Sequence, residues 1–187
     1  MALKSTFPNM LLSLGTICLV CSALLGAVYG ITKDPISAAE TAKVNAAISE
    51  VVPQFDNDPS ASAFEVGEAV VYPATLSGEA VGYAVKVSSS GFGGALQIMV
   101  GFTPDGVVYN TSVISHSETP GLGAKIVDPA CPPRAQIVGK NPGSDKILVS
   151  KDGGAIDAIT ASTITSRAFL AGIAAAYEVF LKIEGNE

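Results

Sequence analysis

Tryptophan is missing from this sequence, histidine occurs once (His116) and cysteine three times. Each scarcity removes a class of function. Cys18 and Cys21 fall inside an apolar run and Cys131 stands alone, so there is neither a disulfide framework nor a Cys/His spacing that would hold zinc. Two cysteines three apart cannot complete a four-thiolate cluster site. Beside Gly15, Ser22 and Gly26 they read as small residues for a helix contact. With one histidine and no nucleophile–base set, hydrolysis has no machinery. Charge is scarce as well. Residues 5–32 carry none, and Lys4 is the only basic residue before Lys33. The net charge is −6, all 17 acidic residues follow position 33, and no Lys/Arg cluster interrupts them. Nucleic acid is thereby excluded as a partner, because phosphate contact needs a basic face.

What is present in excess is apolar. Mean hydropathy is +0.43 although aromatics make up only 6% of the chain, so one segment must raise the average. That segment is MLLSLGTICLVCSALLGAVYGI, residues 10–31. At ~1.5 Å per residue, about 22 helical residues cross a bilayer core, whereas the apolar part of a signal peptide runs ~7–15. Residues 1–33 are therefore expected to be a retained transmembrane anchor, embedded in lipid. Its orientation is a near-tie, with Lys4 on one side and Lys33 and Lys43 on the other.

Beyond the anchor, Asp34-Pro35 has the form of a helix start, and Ile36, Ala39, Val44, Ala47, Ile48, Val51 and Val52 recur at helical spacing. Residues 34–60 are expected to be a stalk helix and linker, and residues 61–187 a domain. In the latter, residues 64–72, 80–87, 95–102 and 107–115 are rich in Val, Ile and Tyr and read as strands. Pro104-Asp105-Gly106 makes a hairpin turn between the last two. A short strand is expected at 147–149. A final amphipathic helix is expected at 165–183, with Phe169, Leu170, Ile173, Tyr177 and Phe180 inward. The fold class is α+β: a single N-terminal transmembrane helix, then an antiparallel sheet with helices packed on it.

Three segments carry chemical possibilities. Gly91-Phe92-Gly93-Gly94 is a hairpin tip that could lay Phe92 against a planar ring. His116-Ser117-Glu118-Thr119-Pro120-Gly121-Leu122-Gly123 follows a strand, and its glycines permit close backbone approach; His116 alone is more often structural than catalytic. Asp157, Thr160, Ser162, Thr163, Thr165 and Ser166 form a hydroxyl-rich run ahead of the last helix, where N-cap residues or a phosphate would be favoured.

Taken together and in this order, the apolar span, the Gly-Phe-Gly-Gly loop and the His-x-Glu-Thr-Pro-Gly-Leu-Gly segment resemble the FMN-binding domain shared by two membrane proteins. These are the G subunit of Rnf-type electron-transport complexes and the C subunit of the sodium-pumping NADH:quinone oxidoreductase. The family's third motif, Asp-x-x-(Ser/Thr)-Gly-Ala-Thr-x-Thr-Ser, matches at Asp157, Thr160, Thr163, Thr165 and Ser166. It departs at Ala161-Ser162, where the family has Gly-Ala.

The resemblance implies FMN esterified through its phosphate to Thr163, with Ser162 the adjacent alternative. It also implies a separate Mg-dependent flavin transferase that uses FAD. His116, Glu118, Thr119, Gly121, Leu122, Gly123, Phe92 and Gly93 would then contribute to the flavin pocket. By the same resemblance, the chain relays electrons between ferredoxin and NAD within a multi-subunit, ion-translocating complex of the bacterial inner membrane, its main domain outside the cytoplasm. With no Rossmann glycine fingerprint or ferredoxin-like cysteine motif here, NAD and iron–sulfur sites belong to partner subunits. The runner-up readings are the quinone-reductase C subunit, a free-standing anchored flavoprotein serving an exterior reductase, and a non-redox tethered binding domain.

Overall fold

A computed structural model describes residues 6–185; Lys4, one flank of the expected anchor, lies outside them. Helix α1 (Phe7–Val51) is 45 residues long. The Asp34-Pro35 start is corrected: the helix runs through it, with Pro35 inside. Proline removes one backbone bond and crowds the carbonyl four residues back, but the segment after it (Ser37-Ala38-Ala39-Glu40-Thr41-Ala42-Lys43) is dominated by helix formers. Cap-like residues mark a helix start only where no preceding turn supplies carbonyls.

The chain divides into two compact units between Ala42 and Lys43. Among its described residues the first is the helix from Phe7 onward. Its apolar side chains have no partner, as Leu12, Leu19 and Leu25 illustrate at 71–72% exposed. The apolar run 10–31, unburied and long enough to cross, is a candidate membrane span. Among the described residues α3 (Thr163–Glu184) is also long and apolar enough to span, but half of its apolar window is buried in protein.

The second unit is built on a five-stranded antiparallel meander in the order β1 (Phe64–Val66), β2 (Ala69–Leu76), β3 (Glu79–Ser90), β4 (Ala95–Phe102), β5 (Val108–Ser115). The strand expected at 64–72 is two strands, because Gly67 takes φ 66° and reverses the chain. Pro73 is tolerated within β2 because β1 pairs only as far as Val71, so no strand needs its missing N–H, and Asn57 donates to its carbonyl instead. The strand expected at 147–149 reduces to a single parallel bridge, Val149 to Ile156. A short helix α2 (Pro132–Ile137) lies in the stretch after β5.

Alternation along β4 sorts the two faces of the sheet. Leu96, Ile98, Val100 and Phe102 join Phe169, Ile173 and Phe180 of α3 in one core. Met99 joins Ala47, Ile48 and Val51 from the end of α1 in another. At Gly101 a Cβ would strike the backbone carbonyl of Val51, so the last turn of α1 seats only on a glycine there. Arg134 of α2, 4% exposed, fastens the same region. Its guanidinium donates to Glu50 Oε1 (3.1 Å), to the Thr111 carbonyl and to the Val127 carbonyl, so a buried charge has its partners. Cys131 is buried, which pushes its thiol above the ordinary range.

Ala161, where the family pattern has glycine, sits at φ 60°. A left-handed alanine costs about 1–2 kcal/mol, and glycine returns roughly half of that gain as unfolded-state entropy. Ala161→Gly should therefore stabilise the full chain in detergent by about 0.5–1 kcal/mol, a rise of ~2 °C in the melting midpoint. An unchanged or lowered midpoint would show that the strain is absent.

Candidate functional site

In a meander, alternate connections fall at the same end of the sheet. The β3–β4 loop (residues 91–94) and the segment leaving β5 therefore meet: Ser90 pairs with Ala95 and Gln97 with Ser115. Helix α3 is pressed close to the same strands at Gly172, where a Cβ would lie 2.7 Å from Ile98 Cδ1. Its first turn arrives at this end too.

One side chain joins all three segments. Glu118 is 6% exposed. Its Oε1 accepts the Phe92 backbone N–H at 2.7 Å, and its Oε2 accepts the Thr165 hydroxyl at 2.8 Å. The glycines around it leave room that the chain itself fills. A Cβ on Gly91 would meet Glu118 Oε1, one on Gly123 would meet Glu118 Oε2 and Thr165 Oγ1, and one on Gly93 would meet the Ser117 carbonyl. Gly121 has open space but takes φ 76°, a conformational need rather than a steric one. His116 turns inward on its own loop, its Nδ1 accepting the Glu118 N–H at 3.2 Å.

Of the hydroxyl-rich run, Thr165 and Ser166 are committed to structure. Ser166 Oγ accepts from Ile159 N–H and donates to the Ser162 carbonyl, each at 3.0 Å. Asp157 is exposed and braced by Gln136, which donates to its carboxylate at 3.0 Å and accepts its backbone N–H at 2.7 Å. Thr160 is exposed and Ser162 is buried. Thr163 differs: it is half-buried, and it is the first residue of α3, not two residues ahead of it. The helix starts early because Ser162, not Thr165, accepts the first intrahelical bond, from Ser166 N–H at 3.1 Å. Thr163 Oγ1 accepts from Lys151 Nζ at 3.3 Å.

These parts surround a cleft of about 370 Å³. Phe92 (67% exposed), Ile164 (51%) and Leu122 (43%) form its apolar lining, and Thr119, Ser162 and Thr163 its hydroxyls. Glu118, Gly123, Ala161 and Thr165 also border it, whereas His116, Gly93, Gly121, Asp157, Thr160 and Ser166 do not. Large apolar side chains held open to water cost hydration free energy that a flat ring laid on them would recover. The residues thus fit a ligand with a planar apolar body and an anionic end. Sequence reasoning missed Ile164, which reads there as one more helix residue, and Lys151, an isolated lysine with no motif around it.

Glu118→Met keeps the length of the side chain but removes both acceptor oxygens, leaving the Phe92 N–H and the Thr165 hydroxyl without this partner. Such a loss costs about 1–3 kcal/mol. Denaturant unfolding of the full chain in detergent should show that loss; a variant as stable as the native chain would remove Glu118 as the joint of the site.

Residues 91–178, which include this cleft, match the FMN-binding domain family. The chain is 34% identical over 177 residues to the G subunit of the ion-translocating oxidoreductase complex of Stutzerimonas stutzeri, covering 89% of this chain and 78% of that one. It is 32% identical over 173 residues to the G subunit of the proton-translocating ferredoxin:NAD(+) oxidoreductase complex of Clostridium ljungdahlii, covering 91% and 89%. A crystal structure of the C subunit of the Na(+)-translocating NADH-quinone reductase from Parabacteroides distasonis aligns over 61% of each chain, at 24% identity and a TM-score of 0.48. The chain belongs to the G-subunit family of ion-translocating oxidoreductase complexes and carries that family's FMN-binding domain.

Proposed function

We propose that this chain is the electron-carrying subunit of a membrane-bound, ion-translocating oxidoreductase of the ferredoxin:NAD type, with FMN esterified to Thr163. The observation that carries the reading is the placement of Thr163: a half-buried hydroxyl at the rim of a cleft lined by Phe92, Leu122 and Ile164. FMN, when bound, supplies a site that takes up and releases electrons. The protein's own residues supply the rest. Phe92, Leu122 and Ile164 offer apolar surface to the ring and exclude water from it. Glu118 holds the Phe92 loop and the start of α3 at a fixed spacing. The phosphate end lies with Thr163.

Accessibility favours Thr163 over Ser162 as acceptor, since Ser162 is 7% exposed. No base contacts the Thr163 hydroxyl among the hydrogen bonds of the described residues. Its partner is an ammonium donor, in keeping with attachment by a separate flavin transferase. The apolar helix supports a place in a membrane, and the likeness to complex subunits supports other subunits beside it. We assign the membrane as the bacterial inner membrane and the domain to its extracytoplasmic side. A domain cut off from cytoplasmic flavin has reason to bind its cofactor covalently.

Coexpression with a flavin transferase tests the assignment. Thr163→Val keeps the shape, removes the oxygen and should abolish flavin fluorescence in denaturing gels. Ser162→Ala should keep it, with peptide mass spectrometry placing the adduct on Thr163. Labelling of the Val variant and loss in the Ala variant would move the site to Ser162. A native chain without covalent flavin, beside an active transferase, would overturn the covalent assignment.

A further inference from the structure

Lys151 and Asp152 are consecutive in a short 3-10 turn (Ser150–Asp152), and Thr163 and Arg167 stand one helical turn apart on α3. The two segments meet twice. Asp152 accepts from Arg167 through both carboxylate oxygens, from Nε and from Nη2, each at 2.7 Å. One residue earlier on the turn and one helical turn earlier on α3, Lys151 Nζ lies 3.3 Å from Thr163 Oγ1. A bidentate Arg–carboxylate pair fixes orientation as well as distance. The Asp152–Arg167 pair therefore sets the register that brings Lys151 to Thr163. The Arg167 hydrogen bond also holds the Asp152 carboxyl below its ordinary range.

Resting on the reading of Thr163 as flavin acceptor, we propose that Lys151 is a positioning residue for flavin attachment. It orients the Thr163 hydroxyl for transfer and then neutralises the phosphodiester formed there. In the transfer, a bond forms between Thr163 Oγ and the flavin-side phosphorus of a flavin adenine dinucleotide, the pyrophosphate P–O bond breaks, and AMP leaves with the electron pair. The hydroxyl proton goes to a base on the transferase, since Lys151 is a donor at this oxygen and cannot accept it. The diester keeps one negative charge, next to the atom that Lys151 already faces. An exposed lysine–hydroxyl contact contributes little to folding. Its loss should therefore appear in attachment and not in stability.

The test uses the full chain in detergent, made without transferase, then mixed with purified transferase, Mg²⁺ and FAD. Labelling is followed by in-gel fluorescence over time. Lys151→Gln should lower kcat for labelling about tenfold with little change in KM for the acceptor, the size expected for one oriented, charge-assisted contact. Lys151→Arg should restore most of the rate, and Lys182→Gln, at the far end of α3, should match the native chain. Added salt should slow the native reaction more than that of the Gln variant, because it screens an exposed charge. The melting midpoint of Lys151→Gln should equal the native one. A Gln variant labelled at the native rate with the native salt response, while Thr163→Val stays unlabelled, would overturn the role of Lys151 and leave the acceptor standing. A lowered midpoint in the Gln variant with no rescue by Arg would make the residue structural and also overturn it. Normal labelling of Thr163→Val would remove the acceptor and this role together.

Discussion

The candidate site depends on one buried carboxylate. Glu118 lies under the cleft and accepts from a backbone amide of one loop and from a hydroxyl on α3, tying together segments that are far apart in sequence. Burying a carboxylate is costly unless its oxygens find donors, and here each oxygen has one. The glycine pattern around it follows from this constraint. Gly91 and Gly123 lack side chains where the Glu118 oxygens sit, and Gly93 lacks one where the Ser117 carbonyl passes. These glycines serve the chain's own packing against itself, and the cleft is what remains above that packing.

With polar groups consumed below, the surface offered above is mostly apolar. Phe92 and Ile164 are more than half exposed, yet each belongs to a backbone held by Glu118 or by the first turn of α3. Preorganisation of this kind lets a ring bind without ordering the protein at the moment of binding. The hydroxyls divide along the same line. Thr165 and Ser166 are spent inside, so Thr163 is the threonine of the run that combines partial burial, a place on the cleft and a cationic neighbour.

The membrane helix obeys a separate physics. Residues 10–31 are exposed along their whole length, and their apolar side chains are suited to lipid. From Lys43 onward the same helix changes character. Ala47, Ile48 and Val51 enter the sheet's second core, and Glu50 meets Arg134. One continuous secondary structure thus serves two solvents, and the change occurs where small and β-branched residues replace the leucine-rich run.

Several features were legible in the residues. The apolar run without charge marked the candidate span, because about 22 uncharged apolar residues are long enough to cross a bilayer core. Alternation of Val, Ile and Tyr determined most strands, and the Pro104-Asp105-Gly106 turn formed as its residues dictate, with Gly106 at φ 75°. The three glycine- and hydroxyl-rich segments were legible as candidates and meet at one cleft, because close packing and helix starts demand those residue types locally. Other features needed the third dimension. Whether Asp34-Pro35 began a helix depended on the turn before it, and whether 64–72 was one strand depended on the backbone angle at Gly67. The work of Glu118, the inward turn of His116 and the meeting of Lys151 with Thr163 had no local signature. Each depends on a partner 2 to 47 residues away, at a distance set by strand register and by the seating of α3 on the sheet. Composition and spacing decide what a segment can form by itself, whereas only packing decides which side chain it will meet.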